Sequence, residues 1–164
     1  MLNVARALSR GLHELGLAKP DAPRDEHHLF TALVTHPELT TACSKLFKDG
    51  HYARAVEEAM KAVNNRVKER TGLTVDGRPL MEKAFSIGEP RLRFNSLATQ
   101  SEKDEQLGYM AILSGCMHGI RNPRAHEHRL VDTPRTALQL VVLADHLFDM
   151  IDRADVVAPD GTLA

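Results

Sequence analysis

Tyr52, Val56, Ala59, Met60, Val63 and Val67 return at the spacing of helical turns, and Arg54, Glu57, Lys61, Asn65 and Lys68 fall on the opposite side. A strand turns alternate side chains to opposite faces, so this pattern fits a helix and no strand. Gly72 is a natural residue to end it, because glycine enters the left-handed region without strain.

The same periodicity recurs along the chain. Thr133 and Pro134 open a final helix with a cap followed by proline at the first helical position. Its apolar stripe is Ala137, Leu140, Val141, Ala144, Leu147, Phe148 and Ile151, with Asp145, Asp149 and Asp152 expected to face outward. Ser101 followed by Asp104 reads as the start of another long helix. Leu107, Met110, Leu113, Met117 and Ile120 form its stripe, and Asn122-Pro123 is expected to stop it, since proline disfavours α geometry in the residue before it. Shorter helices are expected at Leu2–Leu15, from Asp25 to Val34, from Pro37 to Gly50 and from Leu80 to Phe85. Pro20 and Pro23 mark a connector, Asp76-Gly77 a turn, and residues 88–100 a loop.

No convincing run alternates with period two, and aromatic residues make up only 4% of the chain with no Trp, which suits packed helices better than a sandwich. The expected fold is therefore all-α, a helical bundle of about four long helices with additional short helices. A helical domain over 41–156 is expected, with an N-terminal helical extension over 1–40 and a tail over 157–164.

Several function classes fall away. The formal net charge is −1, so any nucleic-acid contact requires a local basic patch rather than a basic protein. No apolar run reaches the roughly 18 residues of a membrane span, and Arg6, Arg10, His13 and Glu14 interrupt any signal-peptide core. A cytoplasmic protein with no membrane contact is expected, with Cys43 and Cys116 as buried thiols. There is no P-loop, no G-x-G-x-x-G after a strand and no G-x-S-x-G. His118, His126 and His128 lack the Cys or carboxylate that would complete a zinc spacing, so neither metal nor cofactor is expected.

The chemistry centres on Arg121-Asn122-Pro123-Arg124-Ala125-His126. Arg121 follows Met117 by four residues and leaves its helix beside the buried stripe. A corner at Pro123 is expected to turn His126 toward the same cleft. Histidine exchanges protons near neutral pH, and arginine offers a permanent planar cation to phosphate oxygens. Together they supply what metal-free cleavage of an RNA phosphodiester needs: a base for the 2′-OH proton, and a cation for the charge that builds on phosphorus. Asn122 is placed to orient one of them. His118, Arg124, His128 and Arg129 surround the motif and are candidate substrate contacts, as is Lys61. Gly108, Gly115 and Gly119 each cost about 1 kcal/mol relative to alanine inside a helix, which implies close approach of another helix from this chain or a second copy.

The stretch from Gly115 to His126 resembles the signature of the HEPN superfamily, an Arg, a polar residue and a His after four intervening positions. Gly50–Lys61, Pro79–Phe85 and Asp104–Gly108 resemble its Ymh-like branch in the same order, so the likeness covers roughly residues 44 to 154. It implies a helical bundle that dimerises so that two Arg-to-His motifs share one cleft. It also implies a metal-independent endoribonuclease leaving a 2′,3′-cyclic phosphate, often a toxin paired with an antitoxin or an antiphage defence effector. Arg121, Asn122 and His126 occupy the matching positions. Glu57 and Lys61 match a Glu-x-x-x-Lys pair of some relatives, although an i,i+4 salt bridge explains Glu57 as well, leaving Lys61 and Glu58 to support the site. The competing expectation is a non-catalytic helical module that binds RNA, a nucleotide or a partner protein.

Overall fold

The computed structural model describes residues 25–127 and 129–158. The expected helix over 2–15, its proline connector, His128 and residues 159–164 lie outside them. In chain order the elements are α1 (Glu26–Leu33), α2 (Pro37–Lys48), α3 (Tyr52–Thr71), α4 (Gly77–Ala84), β1 (Leu92–Arg93) and α5 (Gln100–Gly115). A π-helical segment (Cys116–Arg121) follows, then α6 (Asn122–His126), α7 (Pro134–Arg153) and β2 (Asp155–Val156). The all-α class and the long helices are as expected.

Helix α3 lies at the centre and touches α2, α4, α6, α7 and the π segment. Its stripe of Val56, Ala59, Met60, Val63 and Val67 is fully buried. Because neighbours surround α3, its buried face is wider than the stripe and takes in Glu57 and Asn64. Gly72 ends the helix at φ 66, in the left-handed region. Phe47, Phe85 and Phe148 are the largest enclosed side chains. Phe30 and Val34 share this core, and residue 40 falls inside α2.

Three local expectations are corrected. Helix α5 is capped by Thr99 rather than Ser101, because Thr99 and Glu102 form a reciprocal capping box. Asp145 is buried rather than outward. The carboxylate accepts the backbone N–H groups of Thr35 and His36, each at 2.9 Å, and so caps α2, whose own N-cap His36 offers no side-chain bond. Asp152 likewise turns inward to Arg66 at 2.6 Å and His36 at 3.2 Å. Finally, the loop over 88–100 contains β1, which pairs antiparallel with β2 so that Leu92 faces Val156. Gln106, fully buried, fixes this loop by donating to the carbonyls of Phe85 (3.1 Å) and Leu92 (2.9 Å) and accepting from the Phe94 N–H (3.1 Å).

Cys43 and Cys116 are buried and unpaired. Burial, with the charge of Asp145 nearby, pushes the Cys43 thiol up to about 12, and burial pushes Cys116 up to about 11. Since the thiolate is the reactive form, Ellman's reagent at pH 8 should find neither thiol in the folded protein and both in denaturant.

Candidate active site

The segment carrying Arg121 is shaped by a proline that does not break the helix. Pro123 has no N–H to donate, and its ring crowds the carbonyl four residues back. The chain answers by widening one turn, and the Asn122 N–H reaches back five residues to the Met117 carbonyl. Asn122 keeps helical angles (φ −62, ψ −45), and Pro123 sits in the first turn of α6. The expected corner at Asn122-Pro123 is therefore replaced by a π turn, because a longer-range hydrogen bond relieves the clash that would have forced a bend. Arg124 adds a side-chain bond to this segment, donating from Nη1 to the Ile120 carbonyl at 2.9 Å.

Arg121 is half-buried and donates from Nη1 to Asn122 Oδ1 at 3.2 Å. Its Nε is enclosed without a hydrogen-bond partner, and the guanidinium enters no ion pair among the described residues. Its charge reaches Asp76, which precedes α4. A hydrogen bond from Asn64, then one from Lys68, then the charges of Lys68 and Arg121 hold the Asp76 carboxyl below the usual range. Asn64 bridges α3 to this turn by donating to Asp76 at 2.8 Å and accepting the Gly77 N–H at 2.8 Å. His126, the last residue of α6, is exposed.

Five residues of α register separate Arg121 from His126 by about 7.5 Å along the axis and about 140° around it. Without the corner, the backbone of one chain does not turn them to one pocket. Arg121 is bonded to Asn122 and its charge acts on Asp76, and no hydrogen bond among the described residues joins it to His126.

Arg124 serves the fold. Its Nε and Nη2 form a forked pair with Asp132, both at 2.7 Å, and the side chains are 8% and 7% exposed. The cation expected to meet substrate is thus held internally, bracing the helix of the motif against the loop before α7.

A family model described as "Protein of unknown function (Hypoth_ymh)" matches residues 34–151. The chain belongs to this Ymh family. The match runs from the end of α1 nearly to the end of α7 and includes Arg121, Asn122 and His126. No curated protein and no solved structure matches.

In this Ymh-family chain Lys61 is tied to Glu57 at 2.7 Å and Glu58 at 3.2 Å, and Arg54 reaches Glu57 at 2.8 Å and Glu58 at 2.9 Å. Burial would raise the Glu57 carboxyl, but Lys61 and Arg54 outweigh it and leave the group below its ordinary range. The i,i+4 bridge expected for Glu57 is present, and it sits in a four-charge network. His118 is exposed in a cleft with Arg78, Glu82 and Ser114, where the Ser114 hydroxyl is enclosed and unpartnered. Arg129 is exposed beyond α6, and His128 lies outside the described residues. Among the described residues no three His, Cys, Asp or Glu side chains gather as metal ligands.

The glycine face is open. A Cβ added at Gly108, Gly115 or Gly119 would meet nothing within 4 Å, so no other part of the described chain makes the expected close approach. Ile112, 46% exposed, lies about 40° around the helix from Gly108, and Leu107, 41% exposed, lies about 100° from it in the other direction, so the two flank the glycines.

Sequence reasoning missed Asn64, Asp76 and Asp132. Asn64 was findable, because it follows Met60 by four residues on the buried side of α3. Asp132 gave no such signal, since its pairing depends on the path of a loop.

Proposed function

We propose that this Ymh-family chain is a metal-independent endoribonuclease of the HEPN kind, acting as a homodimer. The observation that carries the reading is Arg121. Its cation is oriented by Asn122, held in no ion pair among the described residues, and placed at the head of the short helix that ends in the exposed imidazole of His126.

In the proposed reaction an imidazole of His126 takes the 2′-OH proton, and O2′ forms a bond to phosphorus. The P–O5′ bond breaks and O5′ leaves with a proton supplied by a second acid, for which the partner copy's motif is the source. Arg121 stabilises the charge on the phosphoryl oxygens. The products are a 2′,3′-cyclic phosphate and a 5′-OH. The separation of Arg121 from His126 within one chain favours a cleft shared between copies, and the exposed face of α5 offers the contact, since exposed aliphatics flanking bare backbone suit a symmetric helix pair. By resemblance, the setting is a toxin with an antitoxin or a phage-defence system.

The test is incubation of pure protein with RNA in EDTA. Cleavage is expected for the wild type and absent for Arg121→Ala. A non-catalytic RNA-binding module is the second reading, favoured by the same separation; Arg121→Ala would then weaken RNA binding with no cleavage to lose.

The dimer makes its own prediction. Gly108→Ala and Gly115→Ala each raise helix propensity by about 1 kcal/mol and strain nothing in their own chain. The double variant should form a more stable monomer but a weaker dimer in sedimentation dilution series. An unchanged dissociation constant would place that face in solvent.

A further inference from the structure

We propose that the cavity between the end of α4, the following loop and the segment after β2 binds a small phosphorylated molecule of nucleotide size. None of the residues lining it belongs to α5, the π segment or α6, so it is distinct from the site of Arg121 and His126.

Strand geometry builds its charge. Successive side chains on a strand point to opposite faces, so Leu92 enters the core, fully buried, while Arg91 and Arg93 both turn toward the cavity. Lys83 adds a third cation from the last turn of α4. Among the described residues none of the three is in an ion pair, and Glu89, exposed, is the one carboxylate on the lining. The Nε atoms of both arginines are enclosed with no hydrogen-bond partner. A buried guanidinium N–H without an acceptor is costly, and phosphate oxygens are the acceptors that an arginine fork fits best.

The platform is rigid. The Arg91 N–H donates to the Ala84 carbonyl at 2.8 Å, and the Arg91 carbonyl accepts the Val157 N–H at 2.9 Å. Leu97 holds a left-handed φ of 57 on the rim, its N–H bound by Asn95 Oδ1 at 3.0 Å. The cavity is about 720 Å³, within the range of small-molecule sites. Leu97 and Val157 give it apolar surface for the part of the ligand that carries no charge.

Calorimetric titration of the full chain with AMP, inorganic phosphate, adenosine and a 12-nucleotide RNA tests this. AMP should bind with a stoichiometry of one per chain, phosphate more weakly, and adenosine without measurable heat. Arg91→Gln/Arg93→Gln should weaken AMP at least about tenfold, the equivalent of one good charged contact. Lys83→Gln, on an exposed position that the fold does not use, should weaken it in the same direction, and a melting curve checks that each variant is folded. Absence of saturable AMP binding, equal affinity in the folded variants, or binding of the RNA alone would overturn the proposal. RNA cleavage is not the readout, so the outcome is independent of the ribonuclease reading.

Discussion

Asp132→Ala is expected to lower folding stability by about 3–5 kcal/mol, the range for breaking a buried ion pair by removing one partner. The loss comes less from the missing attraction than from the Arg124 guanidinium left behind, since it stays enclosed while two of its donors lose their acceptors. For a chain of this length, the melting temperature should fall by roughly 2–4 °C per kcal/mol. Replacing both partners together, Arg124→Met with Asp132→Leu, should recover most of the loss, because it removes the charge that needed a partner. The pair also braces α6, and Arg124 donates in addition to the Ile120 carbonyl one turn back. Asp132→Ala should therefore reduce RNA cleavage without touching the reacting groups, whereas the double replacement should restore stability more fully than activity. Urea melts of the single and double variants, read beside cleavage rates, check both statements.

His126→Ala is expected to reduce RNA cleavage by about 10²–10⁴-fold, the usual contribution of a positioned acid–base group. His126 is exposed at the end of α6, so the helical circular-dichroism spectrum and the melting temperature should not change. That combination separates a chemical role from a structural one. Arg121→Lys should fall between wild type and Arg121→Ala, because lysine keeps the charge but loses the planar fork. Single-turnover rates on one RNA oligomer measure all three.

The helices were legible because their signals are local. The stripe of α3, Gly72, the Thr133-Pro134 start of α7 and Pro37 at the head of α2 each appear where the sequence puts them. What escaped depends on partners distant in sequence. Asp145 reads as an outward acid on α7, yet it caps a helix more than a hundred residues earlier because His36 cannot do so itself. The π turn escaped for a subtler reason. Pro123 does disfavour an α-helix, but the sequence does not reveal that one wider turn relieves the conflict. The same error placed Arg121 and His126 around a corner. Arg124, one of the cations expected to meet substrate, is instead closed by Asp132, a partner eight residues on whose position depends on a loop.

The central claim is that this chain uses the 2′-OH of RNA as nucleophile, with protein side chains in place of a metal. Its most direct test is the analysis of product ends after the wild-type protein acts, in excess EDTA, on an RNA oligomer and on the same oligomer with 2′-deoxyribose throughout. The account predicts 2′,3′-cyclic phosphate and 5′-OH ends from RNA, and no cleavage of the deoxy strand. Cleavage of both strands, a requirement for magnesium, or 5′-phosphate products would contradict it.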